Sequence, residues 1–193
     1  MLKKIKNLLY CLNRRYGMKK ILFVLLFLLS LSSVANARII YNLGYGFGLL
    51  NTGNGFSKLD EQYYDYYKAS VDFEHFYSKN FSLIAEPFVA YVNRPTSGVS
   101  FGVSGLLRYY FLNEATFRTF ADGGLGVSYN TLKYKGQASK YLFMPQVGLG
   151  VEFNVGKSTK MFIEDRFIHM SYASLKEPNG AVNSNTLMIG ISF

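Results

Sequence analysis

The sequence predicts an all-β fold, an eight-stranded antiparallel transmembrane β-barrel behind a cleaved signal peptide. Three observations predict it. Residues 1–37 read as an export leader, side chains alternate with period two through residues 38–193, and the breaks between alternating segments are by turns long and short.

The leader carries a basic region at Lys19 and Lys20 after a second methionine, Met18, then the apolar run Ile21 to Leu29 and the small-residue end Ala35-Asn36-Ala37. This is the order of a secretory signal peptide, with cleavage expected after Ala37. The apolar run is short for a bilayer-spanning helix and no stop-transfer pattern follows it. Residues 1–17 are either a long basic region or lie upstream of a true start at Met18. The leader holds seven Lys or Arg and no acid, so the chain's net charge of +9 falls to +2 over residues 38–193. A basic pI that belongs to the leader gives no support to nucleic-acid binding. Cys11 is the single cysteine and lies in the leader, so residues 38–193 hold no thiol.

From Ile39, odd positions read Ile39, Tyr41, Leu43, Tyr45, Phe47 and Leu49, against Asn42, Gly44, Gly46 and Gly48 at even ones. Alternation of this kind is a strand signature, one face large and apolar, the other small and polar. It returns at Ala69, Val71 and Phe73, and at Val99, Phe101, Val103, Leu107, Tyr109 and Phe111. It recurs over Phe81 to Asn93, Thr116 to Tyr129, Tyr141 to Phe153, Met161 to Tyr172 and Ser184 to Phe193, making eight strands. The connections Asn51 to Glu61, Arg94 to Gly98, Thr131 to Ser139 and Ala173 to Asn183 are mostly long. Those at Ser78 to Asn80, Asn113 to Ala115 and Val155 to Lys160 are short. Long outer loops and short periplasmic turns are the habit of outer-membrane barrels.

A soluble barrel also alternates, but it keeps its apolar face inside and spreads charge over its exterior. Here the charges share a face with glycine and serine, which suits a narrow polar interior. Eight strands leave an interior filled by side chains, not a pore. Interior ion pairs are expected between Asp122 and Arg118, Glu86 and Arg108, and Glu164 and Arg166. Tyr63, Tyr64, Tyr66 and Tyr67 are expected to form an aromatic girdle at the outer interface, in a chain without Trp.

One pair carries chemistry. His169 and Ser171 are two residues apart in an alternating segment and so share a face. An imidazole beside a hydroxyl can make serine a nucleophile by removing its proton as it attacks. Both fall on the odd, membrane-facing side, near the outer end of the seventh strand, whereas Glu164 and Arg166 face the interior. A hydrolase there would find its substrate among outer-leaflet lipids, meaning lipopolysaccharide. His75, the other histidine, lies near the periplasmic end of the second strand, out of reach.

The segment HMSYASLKEPNG from His169, followed by Asn183 and Ser184, resembles the His-x-Ser-Asn-Ala and Pro-Asn-x-Gly signature of the lipid A 3-O-deacylase family, eight-stranded outer-membrane barrels. The resemblance implies Ser171 as nucleophile, His169 as general base and Asn179 as an oxyanion donor. The reaction implied is hydrolysis of the 3-O-linked acyl chain of lipid A through an acyl-enzyme, with no metal or cofactor. Two positions depart from the signature. Tyr172 stands where the family has Asn, and Asn183 stands where its third-member carboxylate aligns, with Glu177 in the loop as the substitute and Asp165 too far along the strand. The partners implied are lipid A and outer-membrane lipids, with a homodimer left open. The alternative reading is a catalytically inactive structural or adhesion barrel, with the loop from Asn51 and the basic loop around Lys133 and Lys135 as its binding surfaces.

Overall fold

The computed structural model describes residues 37–49, 64–94, 96–132, 138–173, 175 and 180–193. Eight strands follow in order: β1 (Arg38–Gly48), β2 (Asp65–Phe76), β3 (Phe81–Arg94), β4 (Gly98–Asn113), β5 (Phe117–Asn130), β6 (Tyr141–Asn154), β7 (Lys160–Met170) and β8 (Val182–Ser192). Each pairs antiparallel with its neighbours, and β1 pairs with β8 to close the barrel. The described residues contain no helix. The loops at 50–63 and 133–137 lie outside the described residues, as do Tyr63, Glu177, Pro178 and Asn179.

The alternation decides the two surfaces. Odd positions such as Leu43, Val89, Val103, Leu125, Leu149 and Ile189 are exposed, while their even neighbours are buried or half-buried. An exterior of exposed aliphatic and aromatic side chains around a polar interior is the reverse of a soluble barrel, and it fits hydrocarbon outside. Only a closed sheet satisfies every backbone group there.

The interior is filled in layers. Toward the outer end, Tyr64, Tyr66, Phe88, Val92, Leu142, Met144, Ile168 and Met170 pack as an apolar plug. Tyr66 needs room that Gly46 supplies, since a Cβ there would sit 2.1 Å from the ring. Below it runs a charged layer. Lys68 donates to Glu86 at 2.7 Å, and Arg166 donates to Glu86 at 2.7 Å and to Glu164 at 2.5 Å. Arg108 makes a two-pronged bond to Asp122 at 2.8 and 2.7 Å. Arg108 also lies 3.8 Å from the Phe120 ring centroid, above a third layer of Ile40, Tyr110, Phe120 and Phe162.

The expected acids and bases are therefore interior, and Glu164 pairs with Arg166 as expected, but the other two expected pairs are replaced. Asp122 pairs with Arg108 and Arg166, Glu86 with Lys68 and Arg166, and Arg118 with Glu152. The expected tyrosine girdle is corrected too. Tyr67 is exposed on the outside, whereas Tyr64 and Tyr66 point inward and are buried, because their even positions follow the interior phase of β2.

Two predictions follow from the burial pattern. Arg166 is fully buried among three carboxylates, and removing one member of such a set leaves uncompensated charge, so Arg166→Leu should lower the unfolding free energy by about 3 kcal/mol. Among the described residues, Asp165 is the one charged side chain at an exposed outward position away from a strand end. Its partner is Asn185, which donates at 3.2 Å. An acid on the lipid face is costly, so Asp165→Leu should raise stability by about 1 kcal/mol. Urea unfolding of the refolded barrel in lipid vesicles measures both.

Candidate active site

The site is built on the outer ends of β6, β7 and β8. His169 and Asn183 are direct cross-strand partners, and Ser171 continues the β7 ladder by bridging Phe143 of β6. Residues opposite one another in an antiparallel pair point the same way. Phe143 is exposed on the outer wall, so Ser171, His169 and Asn183 lie on that wall as well.

Their environment differs from the rungs below. His169 is half-buried, and Ser171 and Asn183 are 8% and 5% exposed, whereas Ile163 and Ile189 lower on the same face are 43% and 51% exposed. Directly behind them, Tyr66 hydrogen-bonds Ser184 at 3.1 Å and Thr186 at 2.5 Å, which braces β8 from inside the barrel.

The central contact is between His169 Nδ1 and Asn183 Oδ1, at 2.7 Å. An amide oxygen only accepts, so Nδ1 carries the proton and donates it. The imidazole lone pair then sits on Nε2, the nitrogen able to take a proton from elsewhere. Asn183 thus fixes both the tautomer and the ring plane. It brings no negative charge to stabilise an imidazolium.

Ser171 stands where the strand ends in a tight turn. Its hydroxyl accepts from the Ala173 backbone N–H at 3.4 Å, and Ala173 has φ of 52°, in the left-handed region that side chains other than glycine seldom adopt. Strain of this kind concentrates where a side chain must be presented in a fixed direction. From the Phe143 side of this turn an apolar groove of about 600 Å³ runs across the outer wall, lined by Tyr172, Leu175, Tyr141, Phe143, Phe101 and Val127. The sequence signal for it is the pair of outward aromatics Tyr141 and Phe143 beside the outward-turning segment after Ser171.

Of the expected residues, His169 and Asn183 are in contact and Ser171 joins them on one face. Asn179 and Glu177 lie outside the described residues. His75 is at the far end of β2, against Tyr77. Among the described residues no group of three or more His, Cys, Asp or Glu could hold a metal ion.

The family model for Lipid A 3-O-deacylase (PagL) matches residues 65–192, which includes β2 through β8. No curated protein matches the chain by sequence. Among solved structures, the outer membrane enzyme PagL aligns at a TM-score of 0.58 and 18% identity, over 77% of this chain and 97% of that one. Neisserial surface protein A (NspA) aligns at a TM-score of 0.57 and 10% identity, over 80% of this chain and 94% of that one. At such identities the two structures attest the shared barrel.

Replacing Asn183 by Leu should release the tautomer. Nitrogen-15 NMR of His169 should show Nδ1 protonated in the neutral native ring, and a shift of the proton toward Nε2 in Asn183→Leu.

Proposed function

Because this chain belongs to the lipid A 3-O-deacylase family and is an outer-membrane β-barrel, we propose that it is a serine esterase of the outer leaflet, removing the acyl chain ester-linked at position 3 of lipid A. The observation that carries the reading is the 2.7 Å bond from His169 to Asn183, which leaves the basic nitrogen of the histidine for the serine on the same wall.

In the proposed reaction His169 Nε2 removes the Ser171 proton as Oγ attacks the ester carbonyl. The tetrahedral intermediate places negative charge on the carbonyl oxygen, where the Asn179 amide would donate. Collapse breaks the bond to the sugar oxygen, which takes the proton from His169 and leaves an acyl-serine. Water, deprotonated by the same nitrogen, then releases the fatty acid and restores Ser171. The apolar groove beside Phe143 and Tyr172 would hold the acyl chain. The chemistry draws on residues of one chain only.

Asn183 in the third position orients the base but does not stabilise its cation. In Ser-His-Asp triads, Asp→Asn costs about ten-thousand-fold because the wrong tautomer is held. Here the carbonyl oxygen faces Nδ1, so the tautomer is the productive one and the cost is confined to the missing charge. Residues 1–37 would be removed on export, which places the basic leader and Cys11 outside the working protein.

Mass spectrometry of lipid A incubated with the refolded barrel in detergent tests the reading. The native chain should remove one 3-linked acyl chain, Ser171→Ala none, and Asn183→Asp should act about tenfold faster than native. Unchanged lipid A with folded native protein would replace the esterase by a structural or adhesive barrel.

A further inference from the structure

The periplasmic mouth of the barrel holds more positive charge than its acids balance. Arg38, Arg118 and Lys160 converge on the single carboxylate Glu152, at 2.8, 2.5 and 2.8 Å. Arg38 also pairs with Glu74 and donates to Tyr110 at 2.8 Å. Glu152 is 1% exposed and also accepts from Tyr110 at 3.3 Å, while Glu74 is fully buried and accepts from Ser82 and Tyr110 at 2.6 and 2.9 Å. These two acids have little room for further donors.

The cations retain donors. Arg118 uses Nε and one terminal nitrogen on Glu152, and Lys160 uses one of its three N–H groups there. Lys79, exposed in the turn between β2 and β3, has no ion pair among the described residues. These three groups and Arg38 line a cleft of about 670 Å³ together with Asn80, Asn113 and the Phe76 ring. The guanidinium of Arg118 lies over the Tyr110 ring, 3.9 Å from its centroid, and its two bonds to Glu152 give its unused edge a fixed direction. Four cations face two buried acids in this cleft, and Glu114, exposed in the turn after β4 and next to the lining residue Asn113, is a further acid beside it among the described residues.

From this surplus of charge and donors we propose that the periplasmic mouth binds a phosphate-type oxyanion, supplied by free phosphate or by the headgroup of an inner-leaflet phospholipid. A phosphate offers several acceptors and no obligatory donor, which is what a carboxylate-saturated cluster of Arg and Lys still lacks. The cleft sits at the level of exposed Tyr77, Phe81 and Tyr109 on the outer wall, where aromatic residues mark the membrane interface. It lies at the opposite end of the barrel from Ser171 and does not depend on the deacylase reading.

Titration of the refolded full-length barrel in neutral detergent, followed by the Arg38 and Arg118 Nε–H resonances, tests it. One arm uses inorganic phosphate and the other a short-chain phosphatidylglycerol, with chloride at matched ionic strength as control. Saturable shifts are expected in at least one arm, weakened fivefold or more in Lys79→Gln/Lys160→Gln and to a lesser degree in Lys79→Gln alone. Saturation by phosphate alone assigns the free anion, and saturation by the lipid alone assigns the headgroup. Linear shifts equal to those in chloride, or saturation unchanged in Lys79→Gln and in the double variant when both are folded, would overturn the proposal.

Discussion

Hydrocarbon on the outer wall is the constraint on which everything else in this protein depends. Backbone N–H and C=O groups find no partner in lipid tails, so the sheet must close on itself. The β1–β8 pairing, running from Tyr41 opposite Ile191 to Gly48 opposite Ser184, does this. With the sheet closed, every side chain faces either lipid or a narrow lumen. Apolar residues dominate the first, and nearly all of the charge is driven into the second. The charged layer of Lys68, Glu86, Arg108, Asp122, Glu164 and Arg166 is the result. In such a layer each charge is tolerable only because its neighbours are present.

The same constraint gives the site its meaning. On a wall made almost wholly of Ile, Leu, Val, Phe and Tyr, a His, a Ser and an Asn on adjoining strands stand out. A slip of one residue between β7 and β8 would turn Asn183 into the lumen and separate it from His169. The long β7–β8 ladder, from Lys160 opposite Ser192 to Met170 opposite Val182, holds that register, and the Tyr66 bonds to Ser184 and Thr186 pin β8 from behind. The interior packing thereby holds the exterior contact between His169 and Asn183 in place.

Period two made the strands and their two faces legible in the sequence, and with them the outward phase of His169 and Ser171. What period two lacks is register. Arg108 opposite Asp122, and Arg118 opposite Glu152, are direct cross-strand pairs, and no single strand read alone says which residue will lie across from it. The interior was therefore readable as a set of charges but, apart from the same-strand pair Glu164 and Arg166, not as a set of pairs. The tyrosines of β2 failed for a different reason. Tyr64, Tyr66 and Tyr67 occupy both phases of the strand, and amphipathic rings suit a membrane interface and a packed lumen alike; the space left by Gly46 settles Tyr66 inside. Asn183 was legible as a position only through the resemblance to the family signature, whereas the direction of its amide oxygen toward Nδ1 is a matter of side-chain geometry.

The filled lumen changes how the protein meets other molecules. With an apolar plug, a charged layer and an aromatic layer stacked inside it, the barrel offers its wall as its working surface. Whatever reaches the His169–Asn183 rung must arrive sideways, within the plane of the membrane. Encounter is then two-dimensional, governed by how many suitable lipids occupy the leaflet and how freely they move, not by any concentration in solution. A stiffer, more tightly cross-bridged leaflet would slow that traffic without altering a single side chain of the site.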